Sequence, residues 1–143
     1  MIQFAFDLLP FQGNISPFEM GHMDLKNNDI LITSRGKKPD QLMMLFVSMV
    51  DLLDTVSKVM SSKSSTKAVF ASTDSSFELL FIKGKDNVSV SDREKTININ
   101  RLGLTSALYA SASEFYKKYA FKLENECSYF DLRDSLLKFK AVL

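Results

Sequence analysis

The chain has 143 residues, 45% of them hydrophobic, 24% charged and 11% aromatic, and its 18 basic and 17 acidic side chains leave a formal charge of +1. This length suits one domain spanning residues 1–143 with a core that needs no covalent staples, and the ordinary apolar content excludes a disordered chain. The near-zero charge disfavours nucleic acid as a partner, because affinity for it grows with the phosphates that a protein's cations neutralise.

Ile2, Phe4, Phe6 and Leu8 alternate with Gln3, Ala5 and Asp7, the period of a half-buried strand. Pro10, Gly13, Asn14 and Pro17 then mark a loop. Two short strands are predicted over 18–25 and 29–33, joined by a turn at Lys26-Asn27-Asn28-Asp29. Arg35-Gly36-Lys37-Lys38-Pro39 breaks the pattern. From Asp40, placed as an N-cap, to Met60 the period becomes helical, with Leu42, Leu45, Phe46, Met49, Leu52, Leu53, Val56, Val59 and Met60 at three- and four-residue steps. Met43, Met44, Val47 and Val50 widen this stripe, leaving only Ser48, Asp51, Asp54, Thr55 and Lys58 for a solvated face. A polar loop follows over 61–66.

Strands are predicted next over 67–72 and 76–83. In the second, Phe77, Leu79 and Phe81 share one face and Glu78, Leu80 and Ile82 the other. Gly84-Lys85-Asp86-Asn87 is a hairpin turn into a strand with Val88 and Val90, and Asp92-Arg93-Glu94-Lys95 is a second turn before Thr96-Ile97-Asn98-Ile99. Two helices close the chain. Asn100 caps the first, whose apolar line runs through Leu104, Leu108, Ser111, Phe115, Tyr119 and the stem of Lys122, with Leu102, Ala112 and Tyr116 beside it. Ser128-Tyr129-Phe130-Asp131 reads as a capping box for the last helix, with Leu132, Leu136, Leu137 and Phe139 inward. The order βββαββββαα predicts an α+β fold: one antiparallel sheet meander covered by the central helix and the C-terminal pair. The expected core contains Phe6, Leu45, Met49, Leu53, Phe77, Leu79, Phe81, Leu108 and Phe115.

Little in the chain carries catalytic or cofactor chemistry. His22 is the single histidine and Cys127 the single cysteine, so no intrachain disulfide forms and no zinc site of ordinary type assembles. His22 reads as a strand histidine with a half-covered ring unless the fold supplies Glu19, Asp24 or Cys127 as a partner. Glu126 opposes a reactive thiolate at Cys127. Asp51 with Asp54, and Asp131 with Asp134, are carboxylate pairs on helix faces that read as solubility or capping. The five glycines form neither a dinucleotide fingerprint nor a Walker A loop, and no nucleophile elbow occurs. The expectation is a non-enzyme with no cofactor and no metal. Asn14-Ile15-Ser16 and Asn87-Val88-Ser89 match the glycosylation pattern by chance in a cytosolic setting. The lone cysteine favours a reducing compartment, MIQFAFDLLPF lacks the basic start of a signal peptide, and no run approaches a membrane span, so a cytoplasmic location is expected. Tyr109, Phe115, Tyr116, Tyr119, Phe121, Tyr129 and Phe130 crowd the C-terminal part. The phenylalanines are expected in the core; the tyrosines suit either core or partner surface.

The helix over 43–60, the strand Ser75-Ser76-Phe77-Glu78-Leu79-Leu80-Phe81, the basic hairpin Lys83-Gly84-Lys85-Asp86 and the segment Val88-Ser89-Val90-Ser91, with the opening strand and closing helices, form a layout. It resembles the small immunity proteins of bacterial polymorphic-toxin and contact-dependent growth inhibition systems. The resemblance implies a cytoplasmic, non-catalytic protein that binds and neutralises one cognate toxin domain. Members of that family are often acidic, whereas this chain is near neutral. The meander sets Glu78 opposite the Phe77 face and its turns carry Lys83, Lys85, Asp86, Asp92, Arg93, Glu94 and Lys95, the expected partner-binding charges. The hairpin end is expected to contribute more than the Arg35–Lys38 loop, and reversing Lys83, Lys85 and Arg93 to slow association while leaving the fold intact. The alternatives are a small anion- or nucleic-acid-binding domain using Arg35, Lys37 and Lys38, and a structural or oligomerisation subunit.

Overall fold

The computed structural model describes residues 2–11, 13–64, 66–123 and 127–143. The opening alternation forms β1 (Ile2–Leu8), antiparallel to β2 (Met20–Asn27) with Phe4 opposite Leu25 and Phe6 opposite Met23, all four buried. Lys26 and Asn27 belong to β2, because they pair with Leu31 and Ile30 of β3 (Ile30–Thr33). The turn therefore narrows to Asn28 and Asp29, with Asn28 in the left-handed region at φ 50°.

The central helix begins later than Asp40. Met43–Met44 forms a short strand, β4, that pairs with Met20 and Gly21 of β2, and helix α1 runs over Leu45–Ser61. Asp40 instead accepts the Leu42 N–H at 2.9 Å, closing a local turn ahead of β4. Two carbonyls from elsewhere hold the start of α1: Met44 N–H donates to Thr73 O at 3.0 Å and Leu45 N–H to Glu19 O at 3.1 Å. Ser48, expected on the wet face, is buried and accepts the Thr73 N–H at 3.0 Å.

The chain then forms β5 (Lys67–Ala71), β6 (Glu78–Lys83), β7 (Asn87–Ser91) and β8 (Thr96–Asn100), neighbours in that order and all antiparallel. The fold is α+β as expected, with two four-stranded sheets where one meander was predicted. The sheets are separate because α1 lies between them in sequence and packs against β2 and β5. Phe77, Leu79, Phe81, Val88, Val90, Ile97 and Ile99 are buried beneath the second sheet, as period two predicts.

Helix α2 (Arg101–Tyr119) is capped by Asn100, whose side-chain oxygen accepts the N–H groups of Leu102 at 3.0 Å and Gly103 at 3.2 Å. A 3-10 turn at Ala120–Leu123 follows; helix α3 (Cys127–Phe139) and a 3-10 turn at Lys140–Val142 end the chain. Helix α2 covers β1: Ser111 Oγ donates to Phe4 O at 2.9 Å, and Phe115 lies edge-on to Phe6 and Phe46. Helix α3 packs on α1, where Ser135 Oγ donates to Asp54 Oδ1 at 2.9 Å. Three local expectations fail. Leu102 and Leu137 point outward, since the packed faces are already filled by Leu104 and Leu108 on α2 and by Leu132, Leu136 and Phe139 on α3. Ser128 lies within the first turn of α3, because Cys127 is already helical, and residues 124–126 lie outside those described. The nine expected core side chains are all buried, in one cluster.

Gly21 marks the tightest approach in the first sheet. A Cβ there would stand 2.4 Å from Asp7 O, a backbone atom that cannot swing aside, and 2.8 Å from a Leu45 methyl. Gly21→Ala is expected to destabilise the fold by about 2–4 kcal/mol, read as a lowered urea midpoint with unchanged m-value.

Candidate functional site

The eight partner-binding candidates separate into two groups at opposite ends of β7. At the β6–β7 end, Lys83 is not a free turn charge. Its ammonium donates to Val59 O at 2.7 Å and Ser62 O at 2.5 Å, satisfying carbonyls at the C-terminal end of α1 where a cation also complements the helix dipole. Lys85 and Asp86 keep exposed side chains, while their backbone carbonyls are taken by Arg101, through its guanidinium to Lys85 O at 3.4 Å and its N–H to Asp86 O at 3.0 Å. This end therefore anchors α1 and α2 to the sheet, and the Lys83 ammonium is engaged within the fold and does not project as a turn charge.

At the β7–β8 end, Asp92 Oδ1 accepts the N–H groups of Glu94 at 2.8 Å and Lys95 at 2.7 Å and so shapes the turn. Lys95 Nζ reaches Leu31 O at 3.0 Å, and Glu94 pairs with Lys37 at 3.4 Å, so this turn bridges to the first sheet. Lys37, Gln41, Ser76, Glu78, Asp92, Arg93 and Glu94 line a shallow cleft of about 90 Å³. The 35–38 loop thus shares this surface with the hairpin.

Glu78, Asp92 and Arg93 also border a broader hollow of about 300 Å³ on the outer face of the second sheet, with Lys67, Val69, Leu80 and Ser91. Register places Val69 beside Leu80 and Lys67 beside Ile82, while Leu80 neighbours Ser91 and Ile82 neighbours Ser89. Val69 is 56% and Ile82 42% exposed. The sheet face therefore carries an apolar centre with charges of both signs at its margin, the anatomy of a protein interface. Period two alone puts Leu80 and Ile82 opposite the buried face; Val69, one strand away, joins them only through β5–β6 pairing.

Arg35 is engaged by Asp7 at 2.5 Å and Asp24 at 3.3 Å, and Asp24 also accepts from the Thr33 hydroxyl. His22 sits beside this network, half-buried on β2. Its partner is Ser34 Oγ at 2.9 Å, which also accepts the Met23 N–H, rather than Glu19, Asp24 or Cys127. With its proton on Nε2, the ring accepts the Ser34 proton. Ser34 itself is fully buried, out of reach of a substrate carbonyl. Burial, then the Arg35 charge, lowers the His22 pKa below its ordinary 6.5 against the opposing pull of Asp40, Asp24 and Asp7.

Cys127 is exposed at the start of α3. Asp51 is pushed up by burial and by the neighbouring Asp54, which Ser135 holds in place. Among the tyrosines, Tyr109, Tyr116, Tyr119 and Tyr129 are half-buried. Phe115 is core, Phe130 is 42% exposed because it lies on the outer side of α3, and the Phe121 side chain lies outside those described. Among the described residues no three His, Cys, Asp or Glu side chains gather to hold a metal, and no helix is long and apolar enough to cross a membrane. No protein-family model, curated protein or solved structure matches the chain.

Lys83→Met is expected to lower stability by about 1–2 kcal/mol through loss of the carbonyl contacts at the end of α1, whereas Lys85→Glu leaves the unfolding midpoint unchanged. Because folding lowers the His22 pKa, its contribution is present above pH 6.5 and is lost as pH falls towards the depressed folded value, where the unfolded chain binds the extra proton. His22→Gln is therefore expected to flatten the fall in the urea midpoint between about pH 7 and pH 5; an identical slope in both proteins refutes this role.

Proposed function

We propose that this chain is a non-catalytic immunity protein that binds a cognate bacterial toxin domain and neutralises it in the cytoplasm. The outer face of the β5–β8 sheet carries the reading: Val69, Leu80 and Ile82 form an apolar centre on a regular, uncovered surface, and Lys67, Glu78, Asp92 and Arg93 supply charges around it. The apolar centre provides desolvation energy, and the marginal charges set the rate of encounter and the choice of partner. The resemblance in layout to immunity proteins points the same way. The anion-binding alternative is weakened by pairing within the basic loop. Arg35 is neutralised by Asp7 and Asp24 and Lys37 by Glu94, leaving Lys38 as its cation without an ion-pair partner among the described residues.

The test is growth of cells expressing a candidate toxic domain, taken from a reading frame that neighbours the one encoding this chain, with and without this chain. Co-expression is expected to restore growth and to yield a stoichiometric complex of the two proteins. Val69→Asp with Ile82→Asp is expected to abolish rescue and weaken the complex at least about tenfold, with the circular dichroism spectrum unchanged. Arg93→Glu is expected mainly to slow association, more so at low salt. Failure of the wild-type chain to bind or protect overturns the function; full rescue by the double variant overturns the placement.

A further inference from the structure

A second surface lies between α2 and α3 and shares no residue with the sheet face. The two helices run antiparallel, since Tyr109 stacks on Phe139 with centroids 6.4 Å apart and Tyr116 meets Tyr129 at 5.6 Å. Between them is a groove of about 160 Å³, floored by Tyr109, Tyr116, Leu136 and Leu137. Its lining recurs at helical steps on both sides, 109, 113, 116 and 117 on α2, then 133, 136, 137 and 140 on and just after α3. Each stripe is about two turns long, roughly 11 Å at 1.5 Å per residue. Leu137 stands 56% exposed at its edge, although Leu136 beside it is buried.

Every charge lining the groove is positive. The antiparallel pairing puts Lys117 and Arg133 towards one mouth and Lys140 towards the other. Arg133 lies over the Phe130 ring at 5.0 Å and shares Asp134 at 3.3 Å; neither Lys117 nor Lys140 has an ion-pair partner among the described residues. Two helices with an apolar cleft between them and cations at both ends call for a third helix of opposite charge.

We propose that this groove docks an acidic amphipathic helix of a partner protein, with aliphatic side chains at i, i+3, i+4 and i+7 seated on Tyr109, Tyr116, Leu136 and Leu137 and carboxylates facing Lys117, Arg133 and Lys140. A second copy of this chain fits poorly, because two-fold pairing along the groove brings Lys140 of one copy towards Lys117 and Arg133 of the other. Nucleic acid also fits poorly: two leucines offer base edges no hydrogen bonds, and both tyrosine rings already pack on Phe139 and Tyr129.

The probe is a fluorescein-labelled amphipathic peptide of about 18 residues with leucine at i, i+3, i+4 and i+7, glutamate at the positions flanking that stripe and alanine and glutamine elsewhere to keep it helical, titrated with the full chain and followed by anisotropy. Saturable binding is expected, with a scrambled peptide of the same composition at least about tenfold weaker. Lys117→Glu with Lys140→Glu is expected to weaken binding about tenfold or more, Leu137→Asp to reduce it comparably, and Arg93→Glu on the sheet face to leave it unchanged. All three substituted groove side chains are exposed, and the charge variant stands as a test by itself if Leu137→Asp fails to fold. Equal affinity for the scrambled peptide, indifference to the groove variants, or tighter binding of single-stranded DNA lost in those variants overturns the proposal.

Discussion

Helix α1 carries a wide apolar stripe opposite a narrow polar face of Asp51, Asp54 and Lys58, and such a helix is stable in water only when that stripe is covered. Leu45, Phe46, Met49, Leu52, Leu53, Val56, Val59 and Met60 are all buried, and the rest of the chain is arranged to bury them. Strands β2 and β4 meet its beginning, β5 and β6 flank it, and α3 lies along another side. Its ends obey the same demand in polar terms. Its amino end has no side-chain cap, so Glu19 and Thr73 lend carbonyls there, and Lys83 reaches in from β6 to its closing carbonyls. An ammonium in that position lets backbone polar groups remain at the margin of an apolar interior.

This arrangement explains which parts of the fold were legible in the sequence. Alternation in β1 and β6, the Asn100 cap and the helical period from Leu45 onward are local properties, and each is found where the sequence places it, although the helix starts five residues later than Asp40. Features decided by distant partners were not legible. Asp40 looks like a helix cap until Met43 is seen to gain more from pairing beside Gly21. Lys83 looks like a solvated turn residue until the end of α1 arrives next to it. Leu102 and Leu137 satisfy helical spacing, yet the faces they would join are filled by larger contiguous stripes. The candidate site divides in the same way: Glu78 and Arg93 were identifiable as exposed charges and Asp92 as a turn carboxylate, whereas their grouping with Lys37 and Val69 depends on loop closure and on strand register.

Charge pairs join pieces of chain that hydrogen-bonded strands do not. Lys37 with Glu94, and Lys95 with the Leu31 carbonyl, tie the β7–β8 turn to the first sheet across exposed surface. Exposed pairs of this kind contribute little to stability, on the order of 0–1 kcal/mol each. Their effect is geometric: they hold the 35–38 loop against the hairpin, so that one continuous rim forms from residues distant in sequence. Arg35, shared between Asp7 of β1 and Asp24 of β2, ties the loop after β3 to that strand pair.

The register of the second sheet also separates two kinds of freedom. Along β5–β8, alternate residues such as Phe70, Leu79, Phe81, Val88, Val90, Ile97 and Ile99 carry the packing, and those between them point to the opposite face of the sheet. The outward set at Lys67, Val69, Glu78, Leu80, Ile82, Ser89 and Ser91 can change in size, polarity and sign while the inward set stays as it is. A lineage that drifts at these positions would acquire new binding tastes on an unaltered chassis, one sheet serving as a rewritable panel whose text is independent of its frame.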